Sequence, residues 1–256
     1  MILSRRAALN GQQLDELDER IVIREINPGV PNETISATAK MGGAGQRITT
    51  QHWNTLDVNV TYAIDVPKTD LETRKQIFDM VNAWAKQTGW LTINYMPGKR
   101  AFIEKTIIPG SGDLWKWTSE YTITFRAYSV PFWQDETPQT AVKQMSNGNM
   151  TIHVNGTERT VLNASMKNVS GQSIKDITIG CGKYTLKFEN INLGGTATLV
   201  ISHGTDGLLT AKVGSTSVYG KMTGADDLYA DPGDRTVKVT ATRALEVTVE
   251  SYGRYV

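Results

Sequence analysis

The chain has 256 residues, with 27 Lys+Arg against 26 Asp+Glu, 39% apolar and 21% charged residues, and one cysteine. This is the composition of a folded protein long enough for two domains; it excludes a disordered chain, an intramolecular disulfide and a cysteine-built metal site. Residues 1–133 carry 15 basic and 14 acidic side chains and residues 134–256 carry 12 of each, so neither half has the basic excess of a nucleic-acid binder.

Residues 2–9 read as a short strand turning at Asn10-Gly11, and Ile21-Val22-Ile23 begins another. Asn27-Pro28-Gly29 and Pro31-Asn32 carry turn chemistry. The glycine loop Met41–Gly45 is not followed by Lys-Ser/Thr and leads into strand-like Gln46–Trp53, so it does not read as a phosphate cradle. Residues 56–66 alternate cleanly. Leu56, Val58, Val60, Tyr62, Ile64 and Val66 share a face against Asp57, Asn59, Thr61 and Asp65, as in a half-buried antiparallel strand.

The stretch Thr69–Gly89 is the one long helix the sequence predicts. Thr69 and Glu72 fit a capping box, and Gly89 sits where a left-handed C-terminal cap is wanted. Leu71, Ile77, Phe78, Val81, Trp84 and Ala85 form its apolar stripe, with Arg74, Lys75, Asp79, Asn82 and Lys86 outside it. Trp90–Tyr95 resumes a strand, and Pro97-Gly98-Lys99 is a turn. Residues 101–108 are expected to pair with a second alternating strand, Trp117–Tyr128, in which Trp117, Tyr121, Ile123, Phe125 and Ala127 share a face. The hairpin tip at 109–113 is flanked by Ile107, Ile108, Leu114 and Trp115; such an apolar end fits either a core piece or a protein contact. The expectation for residues 1–133 is an α+β domain, antiparallel strands covered by one helix.

Residues 134–146, polar and containing Pro138, read as a linker. From 147 to 256 about eight short β-rich runs alternate with turns such as Asn155-Gly156, Asp206-Gly207 and Pro232-Gly233. Two of the runs are Thr236–Thr242 and Leu245–Tyr252. This spacing predicts an all-β sandwich.

The order of elements resembles the distal tail protein (Dit) family of long-tailed, non-contractile bacteriophages. The resemblance is carried by the glycine loop before Arg47, the alternating strand 56–66, the helix over 70–88 and YTITFRAYSVPFW at 121–133. The late Pro232-Gly233 turn before two strands ending in Tyr252–Tyr255 completes it. It implies a structural tail-tip hub in the virion that forms a ring, usually a hexamer, through the N-terminal domain. Its partners would be copies of itself, the tail tube protein and tail-tip or receptor-binding proteins. The C-terminal sandwich would be galectin-like or carbohydrate-module-like and serve as an attachment surface. Ile107, Ile108, Leu114 and Trp115 are then candidates for the oligomer interface.

The chemical alternatives find little local support. His52, His153 and His203 lie in separate segments without ligand spacing, and no Gly-x-Ser-x-Gly elbow is present. Cys181 lies in Gly180-Cys181-Gly182, a context that matches no known nucleophile motif. Asp226, Asp227, Asp231 and Asp234 surround a Pro-Gly turn; calcium is conceivable there, but the spacing fits turn chemistry better. No catalytic residue, metal or cofactor is expected. No apolar run reaches 18 residues and no leader is evident, so membrane insertion is not expected and synthesis in the host cytoplasm is. The rival reading is a two-domain module recognising surface glycan, with Tyr184, Phe188, Tyr219, Tyr229, Tyr252 and Tyr255 as aromatic candidates; all six Trp lie in the first half.

Overall fold

The computed structural model describes residues 5–39, 46–108 and 120–256. The described residues are mostly strand, with one α-helix, and the chain divides into two compact units, Met1–Trp133 and Gln134–Val256. The first unit contains β1 (Ala7–Leu9), β2 (Gln12–Gln13), β3 (Ile21–Asn27), β4 (Glu33–Ala39), β5 (Gln46–Trp53) and β6 (Leu56–Ile64). Helix α1 (Leu71–Ala85) follows, then β7 (Gly89–Ile93), β8 (Lys99–Ile103), β9 (Lys105–Ile107) and β10 (Glu120–Ala127).

All pairings in this unit are antiparallel. One sheet runs β2-β1-β7-β8 and a second runs β3-β6-β10-β9, while β4 and β5 pair only with each other among the described residues. The turn from β1 to β2 works as its sequence suggests: Asn10 and Gly11 both take positive φ, 54° and 83°, as a two-residue hairpin requires. The alternation of β6 and β10 is realised among the described residues, since Leu56, Val58, Val60, Tyr62 and Ile64 are buried opposite Tyr121, Ile123, Phe125 and Ala127; Trp117 lies outside the described residues. The run at 101–108 is split. Its first part, in β8, pairs with β7, and only β9 pairs with β10.

Helix α1 covers the β3-β6-β10-β9 sheet. Phe78 meets the ring of Tyr121 at 5.2 Å, and Trp84 meets Phe125 edge-on at 5.7 Å. Three details differ from expectation. The N-cap is Asp70, whose carboxylate accepts the Thr73 amide at 3.2 Å, so the helix starts one residue later than a Thr69 box would place it. Leu71 is left exposed while Arg74 is buried. The Arg74 guanidinium donates to the Val66 carbonyl at 2.9 Å and to the Tyr121 hydroxyl at 3.1 Å, which lets an ionised side chain sit beneath the helix. Finally, Gly89 is no helix cap. It opens β7, where a Cβ would lie 1.8 Å from Asn10 Oδ1.

Strand β11 (Trp133–Asp135) spans the boundary between the units. The second unit holds β12 (Gln139–Val154), β13 (Thr160–Asn168), β14 (Ile177–Cys181), β15 (Tyr184–Phe188), β16 (Thr198–His203) and β17 (Leu209–Val213). It ends with β18 (Thr216–Ser217), β19 (Met222–Gly224), β20 (Tyr229–Ala230), β21 (Gly233–Ser251) and β22 (Arg254–Tyr255). Strand β21, 19 residues long, is its backbone. Along one edge it pairs with β12 over Gly233–Thr240 and Leu245–Ser251, with a register shift between; along the other, its first half pairs with β14 and its second half with β13. Two wings, β14-β15-β19 and β13-β16-β17-β18, therefore leave the same strand. They share one core: Ile179, Leu186 and Phe188 from the first, Met166, Leu199 and Ile201 from the second.

Two expectations are corrected here. The stretch at 134–146 is a connection only over 136–138, because its first two residues belong to β11 and Gln139 onward is ladder strand paired with Ser251 and its neighbours. The runs at 236–242 and 245–252 are one continuous strand.

Candidate interaction surfaces and polar clusters

The hairpin residues singled out by sequence are partly visible. Ile107 lies on β9, 48% exposed, and Ile108 follows it half-buried; Leu114 and Trp115 lie outside the described residues. Strand β9 pairs only with β10 among the described residues, so it forms an edge of the β3-β6-β10-β9 sheet. Its approach is fixed by Glu104, whose carboxylate accepts the Tyr128 and Ser129 amides at 2.6 and 2.7 Å. On the next positions, Arg126 forks onto Asp57 with two 2.6 Å bonds, and this pairing raises the Arg126 pKa.

The β4–β5 hairpin is the second open element of this unit. Every described side chain of β4 is exposed, and Ile35 and Ile48 present apolar surface at 50% and 55% exposure. Its root is held by Trp53 against Phe132, ring centroids 5.9 Å apart, and by the Asn54 amide bonding the Asn32 carbonyl at 2.7 Å. A two-stranded ribbon is marginal alone in water, and the described side chains of this one, Trp53 apart, are exposed. Sequence analysis read β5 as a strand but gave the hairpin no role.

Both described histidine–carboxylate pairs lie in the second unit, joined across distances in sequence that local spacing cannot reveal. His153 Nδ1 sits 2.7 Å from Asp234 on the exposed surface. His203 is buried, with Nδ1 2.8 Å from Asn163 Oδ1 and Nε2 2.7 Å from Asp227 Oδ1. The Asn163 oxygen also accepts the His203 amide, and Asp227 accepts the Leu228 amide. Both ring nitrogens are thus committed to fixed acceptors, which leaves neither to activate a nucleophile. The trio pins β16 to β13 and to the approach of β20.

The four aspartates at 226–234 diverge. Asp227 goes to His203, Asp231 to Arg159 at 2.8 Å and Asp234 to His153, while Asp226 is exposed. Among the described residues no group of three His, Cys, Asp or Glu could hold a metal ion. Cys181 is buried, and that burial pushes its thiol pKa up, away from the thiolate a nucleophile needs. No described helix is long and apolar enough to cross a membrane.

Of the aromatic candidates, Phe188 is core, Tyr219 is exposed, and Tyr255 donates to Asp135 at 2.9 Å, its phenol pushed up to about 12 by burial and that carboxylate. Tyr184 and Tyr229 come together, edge to face at 5.1 Å, on the wall of an open cleft of about 530 Å³.

Comparison with solved structures shows what this fold resembles. The crystal structure of the Dit protein of phage SPP1, described as a paradigm of hub adsorption apparatus in phages infecting Gram-positive bacteria, superposes with a TM-score of 0.65. The match covers 97% of this chain and 98% of that one, at 13% identity. The chain has a Dit-like phage tail-hub fold. Chains of the phage p2 baseplate, in its activated conformation with strontium or calcium, also match over 96% of this chain, with TM-scores of 0.47 and 0.45 and identities of 8% and 9%. No family model and no curated protein sequence matches the chain. The likeness to the Dit fold is thus one of topology at low residue identity.

Proposed function

We propose that the chain is a structural tail-tip hub protein of a bacteriophage, built as a ring, a hexamer, that joins the tail tube to tip or receptor-binding proteins. The observation that carries this reading is the agreement of fold with the SPP1 Dit protein along nearly the full length of both chains. The work of such a protein is geometric, and no catalysis is assigned to it. Residues 1–133, an α+β domain, set the symmetry; the second unit, a galectin-like sandwich, is the attachment domain.

Ring closure needs head-to-tail contacts between unlike surfaces of neighbouring copies. Two features of the first unit support that assignment: the exposed β4–β5 ribbon, and the β9 edge with Ile107 and Ile108, which we place at the interface together with Leu114 and Trp115. The site of action is the virion tail tip, after synthesis in the bacterial cytoplasm. Light scattering across a concentration series, with negative-stain images of the largest species, tests the proposal. A closed ring supports it, and a monomer at every concentration counts against it.

A further inference from the structure

The cleft in the second unit holds an unusual combination of side chains. It forms where the β14–β15 turn, the β20 strand and the start of β21 meet. Tyr184 and Tyr229 make an apolar corner, and Arg159, Lys183, Asp231 and Asp234 stand around it. The Arg159 guanidinium lies 5.4 Å and the Lys183 ammonium 5.2 Å from the Tyr184 ring centre, so both cations border that ring.

The hydrogen-bonding capacity of these groups is only half used. Arg159 gives its Nε to Asp231 Oδ1, so its two terminal nitrogens have no bond among the described residues. Asp231 and Asp234 each use one oxygen, toward Arg159 and His153, and keep the other. The Lys183 ammonium and the hydroxyls of Tyr184 and Tyr229 likewise make no bond among the described residues. The cleft thus offers donors, acceptors and a ring surface together; a third cation on its lining, Arg235, gives its Nε and one terminal nitrogen to the Asp231 and Pro232 carbonyls.

That combination selects among ligands. A metal ion finds no three-ligand group here. An extended peptide finds little ladder to join, because β14 is already paired on both edges, by β15 and β21, and β20, paired with β13 alone among the described residues, is only two residues long. A simple anion meets Arg159, Lys183 and Arg235 but also two carboxylates with unused oxygens, which oppose it. A pyranose ring fits all the groups at once: its hydroxyls both donate and accept, and its C–H face suits an aromatic corner. We propose that this cleft binds a hexose unit of a glycan, with Tyr184 and Tyr229 as the ring platform and Asp231, Arg159 and Lys183 reading the hydroxyls. The sequence argued against a sugar site in this half because it holds no tryptophan; the fold supplies the platform by pairing two tyrosines 45 positions apart. The inference does not rest on the hub assignment, and its failure leaves that assignment where it stands.

The test titrates the full-length protein, followed by saturation-transfer NMR and calorimetry, with methyl glycosides of glucose, galactose, mannose and N-acetylglucosamine, and with glucuronate. At least one neutral sugar is expected to bind with a Kd of about 1 mM. Tyr184→Ala and Asp231→Asn should each weaken it about tenfold, the equivalent of one lost good contact. Lys183→Gln, on an exposed turn and harmless to folding, should weaken it about threefold. Circular dichroism identifies any variant that misfolds, and Lys183→Gln then decides. Absence of saturation by every neutral sugar up to roughly 50 mM overturns the proposal. So does binding untouched by these substitutions, or a preference for glucuronate that fades with salt, which would make the cleft an anion site.

Discussion

Arg74 gives the sharpest test of how the first unit is held together. Its side chain is 1% exposed, and its guanidinium supplies donors to the Val66 carbonyl and the Tyr121 hydroxyl, both buried. Arg74→Met keeps a straight side chain of similar length and removes the charge. Each charge-assisted bond contributes about 1.5–3 kcal/mol, and relief of the desolvation cost of the cation offsets part of that. The net loss expected for Arg74→Met is about 2 kcal/mol. Arg74→Ala adds a cavity and should lose about 3–5 kcal/mol, a fall in Tm of roughly 10–20 °C for a unit of this size. All six tryptophans lie in residues 1–133, so tryptophan fluorescence in a urea melt reports on this unit alone. A melting midpoint for Arg74→Met equal to or above that of the native chain would refute the reasoning, because it would mean the guanidinium makes no net contribution.

Further outcomes can be checked in the same preparations. Ile107→Asp, and separately Ile108→Asp, should shift the mass distribution toward monomer while the far-ultraviolet spectrum stays unchanged; an unaltered assembly state would remove the β9 edge from the interface. Gly156 sits at φ 105°, and a Cβ there would lie 2.3 Å from the Arg254 carbonyl oxygen. Gly156→Ala should therefore cost the second unit about 2 kcal/mol or more, read by circular dichroism. The Asp18 carboxyl is held below its ordinary pKa of 3.8 chiefly by the Arg20 guanidinium. A lowered carboxylate contributes stability that is present above the unfolded value and lost as pH falls through the folded one. Asp18→Asn should flatten the acid limb of the stability curve below about pH 4, and an unchanged limb would show that the pair contributes nothing.

Much of the first unit was legible because its strongest signals are local. Strands β6 and β10 alternate, and the α1 stripe has helical period, so burial could be read position by position. Arg74 escaped because helical period assigns every arginine to water, whereas the Val66 carbonyl and the Tyr121 hydroxyl, 47 positions away, make its burial affordable. The start of β12 looked like a linker because nearly all its side chains are wet, although its backbone is fully engaged with β21. β21 looked like two strands because Thr242 and Arg243 are exposed between its two buried stretches. The histidine–aspartate pairs and the tyrosine cleft were invisible for a different reason. Each joins residues from separate strands, and no local pattern records which strands become neighbours.

The hub account rests on self-assembly, and the mass of the purified chain in solution tests that most directly. Six copies of the 28.2 kDa chain closed in a ring give a species of about 169 kDa with a central hole in negative-stain images. The account expects that species to grow with concentration and to disappear in the Ile107→Asp variant. A homogeneous 28.2 kDa monomer at every concentration would contradict it.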